Sequence, residues 1–298
     1  MIDQYTVVAA IPAGRRRYLE VLLPYLWEQR GVLDRCDLWC NTDDARDIAY
    51  LRQVAIVNPF FRVIEPRVPV NGVHSVYHFF RYCVEPGTVY VRFDDDICWV
   101  APNAVETLVR FRLQHLTHPL VLANTVNNGI CSFLHQRMGC IPADASHCQY
   151  EASDAVGWQS GPFAQLAHEA FLGMLEAGTV SDYLFSQWLA VGYEHISINC
   201  ICWLGSDFAE FGGEVREDDE VWLTMVHPAD EGRPNVICGK SLVSHFAYWP
   251  QRSWLEKNTN LLERYDALAR QLPPVAESIG ALTAVDGKED VGHEELDA

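Results

Sequence analysis

Positive charge is scarce in this chain of 298 residues: 22 Lys and Arg stand against 40 Asp and Glu, a net charge of −18. Tight nonspecific nucleic-acid binding needs a basic face, so the charge argues against that class, although it leaves room for a locally basic groove. Long apolar runs are missing too, and nothing approaches the ~20 residues that cross a bilayer. The short apolar run at 7–11 precedes Arg15, Arg16 and Arg17, the reverse of a secretory leader's order. Cysteine is present ten times but without metal-site spacing, since Cys36-x₃-Cys40 and Cys200-x-Cys202 are not the paired motifs of a zinc site. Free, mostly buried thiols in a reducing cytoplasm are expected. The first loop holds a single glycine and no Gly-Lys-Ser/Thr, which excludes a dinucleotide fingerprint and a Walker loop.

What is there describes an ordinary globular chain, 49% hydrophobic and 21% charged, long enough to bury a full core. Residues 5–11 read as a buried strand that runs into Pro12-Ala13-Gly14-Arg15 and then a helix with Leu19, Leu22, Leu23 and Leu26 on one side. A Gly-bearing loop between strand and helix is where backbone N–H groups face an anion. Arginine adds charge-assisted donors suited to phosphate. Pro12, Gly14 and Arg15 are therefore candidate nucleotide contacts, with Arg15 foremost and Arg16 and Arg17 unranked. A solvated basic helix start is the plain alternative, although positive charge there opposes the helix dipole.

Residues 36–41 form the second expected strand and 45–54 the next helix. Asp43 between them is a helix cap, a nucleobase or ribose contact, or both. A third strand at 61–64, a turn at Asn71-Gly72 and an aromatic-rich helix at 75–83 follow. This β-α-β-α-β order predicts a parallel sheet with helices on both faces.

The strand at 88–93 ends in Asp94-Asp95-Asp96. Two unit charges about 4 Å apart repel by roughly 4 kcal/mol at an effective dielectric near 20, so such a trio calls for a cation or dense hydrogen bonding. Strand ends in open α/β sheets are ligand sites, and oxygen ligands suit Mg²⁺ or Mn²⁺. Continued strand geometry would put Asp94 and Asp96 on one face and Asp95 on the other. A solvated acidic turn capping a helix near Pro102-Asn103 is the other possibility.

The strand with its Pro-x-Gly-Arg loop, the second strand ending Asn41-Thr42-Asp43, and the later Arg92-Phe93-Asp94-Asp95-Asp96-Ile97 together resemble the GT-A type of nucleotide-sugar-dependent glycosyltransferases. The resemblance implies an α/β, Rossmann-like, mixed but mainly parallel sheet flanked by helices in a single domain. It implies that Asp94 and Asp96 hold a divalent ion, Mn²⁺ or Mg²⁺, chelated by the diphosphate of a nucleoside-diphosphate sugar, with Asp94 and Asp95 at the donor. A catalytic domain would span 1–272: a nucleotide-binding half at 1–100, an acceptor half at 101–255 and a closing helix at 256–272. The acidic stretch 273–298 is expected to be disordered.

In the second half, a helix around 105–113, a strand at 120–124, helices at 163–175 and 182–191 and a strand at 196–203 are expected. Asn124, Asn127 and Asn128 suit either sugar hydroxyls or a turn. Residues 138–160 look like a long loop or lid; His147 and His168 in or near it are more often structural. Arg216-Glu217-Asp218-Asp219-Glu220 opens an apolar helix, where acidic residues complement the dipole. In inverting members of the resembled group such a carboxylate is the general base, a role open to Asp219 or Glu220, with Asp218 third. His245, late in an apolar strand, is either a core residue or, as the resemblance implies, the third metal ligand. A closing helix covers 253–272. Trp158, Trp188 and Trp203 are core residues or a stacking platform for a sugar.

These features together predict a cytoplasmic, metal-dependent glycosyltransferase acting on an unidentified hydroxyl acceptor: glycan, small molecule, protein or modified nucleobase. Inverting or retaining chemistry, the donor and the oligomeric state stay open. Three rivals remain. A haloacid-dehalogenase-like phosphatase expects Thr or Val where Cys98 stands. A nucleotidyltransferase expects a long Gly-rich first loop and a lysine. The third is a nucleotide-sugar-binding protein without catalysis.

Overall fold

β1 (Thr6–Ala13) shows why the sheet is central: every residue after Thr6 is buried, as in a strand covered on both faces. The computed structural model describes residues 1–70, 72–143, 146–216 and 218–275, without the side chain of Val73. α1 (Arg16–Glu28) follows and buries Leu19, Leu22, Leu23 and Leu26, the apolar stripe of its 3.6-residue period. β2 (Arg35–Cys40), α2 (Ala45–Val57) and β3 (Phe61–Ile64) complete the first winding. Tight 3₁₀ turns at Gly72–His74 and Val76–Tyr82 stand where a helix over 75–83 was expected. β4 (Thr88–Phe93), β5 (Ile97–Val100), α3 (Ala104–Gln114), β6 (Val121–Val126), α4 (Gly129–Arg137) and α5 (Gly161–Ala177) come next.

The later elements are β7 (Gln187–Leu189), β8 (Cys200–Leu204), α6 (Gly205–Ala209) and α7 (Asp219–Val221). A π-helical turn (Trp222–Val226) leads to α8 (His227–Glu231), β9 (Val236–His245), α9 (Trp249–Asn258) and α10 (Leu261–Ala269). The strands lie in the order β3-β2-β1-β4-β8-β6-β9-β5, with β7 also on β9. β1, β2, β3, β4, β6 and β9 point one way and β5, β7 and β8 the other, so the sheet is mixed and mainly parallel. This is the Rossmann-like α/β architecture the sequence predicts.

Strand alternation divides the core in two. Val7, Ala9 and Ile11 of β1 face a cluster built with α1, α3 and α10. Val8 and Ala10 face Trp39, Phe79, Phe80 and Trp203 on the opposite side. All ten cysteines are free and buried. Among the described residues no helix is long and apolar enough to cross a membrane.

Three further expected elements differ. Residues 182–191 do not form a helix: a 3₁₀ turn at Val180–Tyr183 leads into β7, which pairs antiparallel with the first part of β9. The open edge of β9 satisfies this segment's backbone groups better than a weakly patterned helix would, with Ala190 N–H donating to the Asn235 carbonyl at 2.9 Å. The expected closing helix is two, α9 and α10, broken at Thr259, whose backbone is extended and whose hydroxyl donates back to the Leu255 carbonyl at 2.6 Å. The strand expected from 196 starts at Cys200; the residues before it run extended past α7 instead. The acidic stretch from 276 onward, Asn71 of the expected turn and Glu217 lie outside the described residues.

Candidate functional site

β4 stops at Phe93 because Asp94 begins a tight turn. Its N–H donates to the Asn199 carbonyl at 2.8 Å, and its own carbonyl accepts from Ile97 N–H at 3.1 Å, which turns the chain into β5. β5 pairs with the end of β9, setting Ile97 opposite His245. One carboxylate oxygen each of Asp94 and Asp96 and one ring nitrogen of His245 thereby lie within 4.8 Å of one another. Asp95 faces the other way. It accepts from Gly14 N–H at 3.0 Å and from the Arg15 guanidinium, tying the strand-end turn to the loop after β1. Gly14 is required by close approach: a Cβ there would stand 2.7 Å from the Asn41 carbonyl oxygen.

The trio is held by cations. Asp96 Oδ2 lies 3.0 Å from Arg15 and 3.3 Å from Arg252, while its Oδ1 lies 3.4 Å from His245 Nε2. Asp94 pairs with Arg92 at 2.8 Å and accepts from the Asn199 amide at 3.0 Å. Burial pushes the Asp94 carboxyl above its ordinary range, and Arg92 only partly offsets this. Burial pushes Asp96 in the same sense, but Arg15, His245 and Arg252 outweigh it and hold that carboxyl below its ordinary range. His245 donates from Nδ1 to the Asn127 carbonyl at 3.2 Å, which orients Nε2 toward Asp96. Burial lowers its pKa, yet Asp96 and Asp94 carry it above the ordinary value. Two carboxylates and an imidazole nitrogen at this spacing form a donor set that one Mn²⁺ or Mg²⁺ ion fits, and the carbonyl behind His245 is the usual support of a metal-binding imidazole.

The acidic start of α7 splits three ways. Asp218 is the N-cap, accepting from Val221 N–H at 3.1 Å. Asp219 turns inward to Arg92 at 3.5 Å, so that one guanidinium joins it to Asp94. Burial, partly offset by Arg92, raises the Asp219 pKa to about 6. Glu220 accepts from Ile198 N–H at 3.3 Å and faces His195 at 3.3 Å.

No protein-family model matches the sequence, and no curated protein matches it. Solved structures do. A mannosyltransferase from Pyrobaculum calidifontis, in complex with GDP-Man and Mn²⁺, is 12% identical over 97% of this chain and 82% of its own, with a TM-score of 0.49. Residues 1–349 of S. aureus TarS are 10% identical over 89% of this chain and 65% of that one, with a TM-score of 0.47. A 4-diphosphocytidyl-2C-methyl-D-erythritol synthase is 17% identical over 40% of this chain and 58% of that one, with a TM-score of 0.32. The chain thus spans less than two thirds of the last two.

Four residues at the site carried no recognised signal in the sequence: Arg92, Asn199, Tyr248 and Arg252. Arg92 had one available, a charged residue inside an apolar strand, and it is 6% exposed. The Tyr248 hydroxyl donates to Asn199 at 3.4 Å and its ring lies 4.8 Å from that of His245. Of the other candidates, Pro12 is buried within β1, and Asp43 is exposed beside Asp44, which makes the cap of α2 by accepting from Arg46 N–H at 2.8 Å. Asn124, Asn127 and Asn128 are fully buried and spend their amides on protein groups: the Tyr183, Phe246 and Ser197 carbonyls respectively. Trp203 is core and Trp188 lies on the exposed edge strand; only Trp158, 6.0 Å from Tyr248, is near the site. His147 is exposed, and His168 is a buried link between Tyr265 and the Phe246 carbonyl.

Proposed function

We propose that this protein is a metal-dependent glycosyltransferase that moves a sugar from a nucleoside-diphosphate sugar to a hydroxyl acceptor. The observation that carries this is the meeting of Asp94, Asp96 and His245 within 4.8 Å at the strand ends, beside the Gly14-Arg15 turn. A Mn²⁺ or Mg²⁺ ion on those three residues would supply positive charge to a departing diphosphate. Arg15, never deprotonated because Asp95 and Asp96 outweigh its burial, adds a fixed donor on the same side. Asp95 holds Gly14 and Arg15 in place and so acts on the donor through them.

In an inverting reaction Asp219 takes the acceptor's hydroxyl proton. Its carboxyl titrates near 6, so it is ionised at neutral pH yet basic enough to accept a proton. Arg92 holds it toward the metal carboxylates. Glu220 is the second candidate, and its N–H and imidazole partners keep it at the start of α7. Nucleotidyl transfer is distinguished by its product, inorganic pyrophosphate in place of a nucleoside diphosphate.

A thermal-shift panel of UDP-, GDP- and CDP-sugars with and without Mn²⁺ tests the reading, followed by product analysis for the stabilising donor. Wild type should show a metal-dependent shift and release nucleoside diphosphate; Asp96→Ala should lose both. A shift retained in Asp96→Ala would remove the site assignment. Hydrolysis of simple phosphomonoesters would point to a phosphatase, and binding without turnover to a binding protein.

A further inference from the structure

Asp96 is one of the three candidate metal ligands, and its carboxylate is already paired. Oδ1 faces His245, while Oδ2 lies 3.0 Å from Arg15 and 3.3 Å from Arg252. Four carboxylates, Asp94, Asp95, Asp96 and Asp219, are joined by ion pairs to three guanidinium groups, Arg15, Arg92 and Arg252. The assembly therefore carries 3 − 4 = −1 with His245 neutral and 4 − 4 = 0 with His245 protonated. A divalent ion arriving alone gains little attraction from that balance and meets a carboxylate of which one oxygen, Oδ2, already carries two guanidinium groups. A diphosphate arriving alone meets the carboxylates. Arriving together, the two bring opposite charges that nearly cancel, and each has a partner: the metal takes Asp96, and the phosphate oxygens take the arginines it releases.

Arg252 is the side chain built for this exchange. It enters from α9, separate from the strand-end turn, and grips the site through one nitrogen, Nη2, which also donates to the Ala247 carbonyl at 3.4 Å. Its Nε is buried and has no partner among the described residues. A buried guanidinium N–H left unpaired is costly, and a planar two-donor fork is the shape that a phosphate group completes. Arg15 is less free to move, since Asp95 also holds it.

We infer, resting on the donor reading above, that Arg252 neutralises Asp96 until a metal takes that carboxylate and then passes to the donor's diphosphate, so that metal and nucleotide each bind more tightly in the presence of the other. Titration calorimetry on the full chain tests this with Mn²⁺ alone, UDP or GDP alone, and each nucleotide with Mn²⁺ present. Wild type should bind either component alone on the order of 10- to 100-fold more weakly than in the presence of the other. Arg252→Gln should bind Mn²⁺ alone more tightly and the nucleotide with Mn²⁺ less tightly, while Arg252→Lys keeps part of the coupling. Opposite shifts in the two affinities separate this role from a loosened fold, which would weaken both; melting temperatures without ligand check that the variants are folded. Mn²⁺ binding to wild type as tightly alone as with nucleotide, or an Arg252→Gln protein with unchanged coupling, overturns the inference and leaves the donor reading standing. If no nucleotide binds wild type even with Mn²⁺, both fall.

Discussion

Two acidic triplets, Asp94-Asp95-Asp96 and Asp218-Asp219-Glu220, read alike in the sequence and are used differently in the fold. The first sits in a turn between β4 and β5, which pair with β8 and β9, and each of its carboxylates meets an arginine. The second opens a helix: one member is spent on the cap, one is drawn inward by Arg92, and one faces His195 and the backbone at 198. Burial acts on both, and the cations decide the outcome. Asp96, with Arg15, His245 and Arg252 around it, is held below the ordinary carboxylate range, while Asp219, with Arg92 alone, stays at about 6. A near-neutral carboxyl suits proton transfer, and within the first triplet Asp94, which has Arg92 alone as its guanidinium partner, is raised as well.

The sharpest way to break this division is to exchange roles within the second triplet. Asp219→Asn should lower turnover by roughly 10²- to 10⁴-fold with donor affinity kept, and Glu220→Gln by much less. Wild-type turnover should fall on acidification through about pH 6 as Asp219 protonates. If Glu220→Gln is the crippled variant, the base is Glu220.

A smaller effect tests how the first triplet is held. Gly14→Ala drives a methyl group to 2.7 Å from the Asn41 carbonyl and toward Asp95, which should cost about 1–3 kcal/mol in chemical denaturation and weaken donor binding with it. Smaller again is the pH dependence of stability. Asp219 is raised from 3.8 to about 6 in the fold, so its protonated form is the one the fold favours. Its contribution is full below about pH 4 and is lost as pH rises through 6. Asp219→Asn should therefore melt above wild type at pH 7.5 and match it near pH 4; a gain of equal size at both would assign the effect to something other than ionisation. Least of all, Asp218→Ala should cost about 0.5–2 kcal/mol through the lost cap and leave turnover unchanged.

Much of this candidate site is legible in the sequence because its signals are local. The β1–Gly14–α1 path, the carboxylates after β4 and the late His245 follow from periodicity, turn chemistry and resemblance, and each lies at a strand end or a helix start. Arg252 is not legible, since a partner 156 positions away leaves no mark on its neighbours in sequence, and for Arg92 the same holds of its link to Asp219, 127 positions away. The expected helix at 182–191 failed for a related reason: its backbone was claimed by β9, an edge that exists only after the chain has folded.

By itself the sequence determined the layered α/β plan, thiols that are mostly buried and the position of three aspartates at the end of a strand, because alternation and helical period are properties of neighbours along the chain. Tertiary structure alone decided which carboxylates are gripped by which guanidinium groups, and therefore which titrate near neutrality. Those are distances between segments, and charge acts through space.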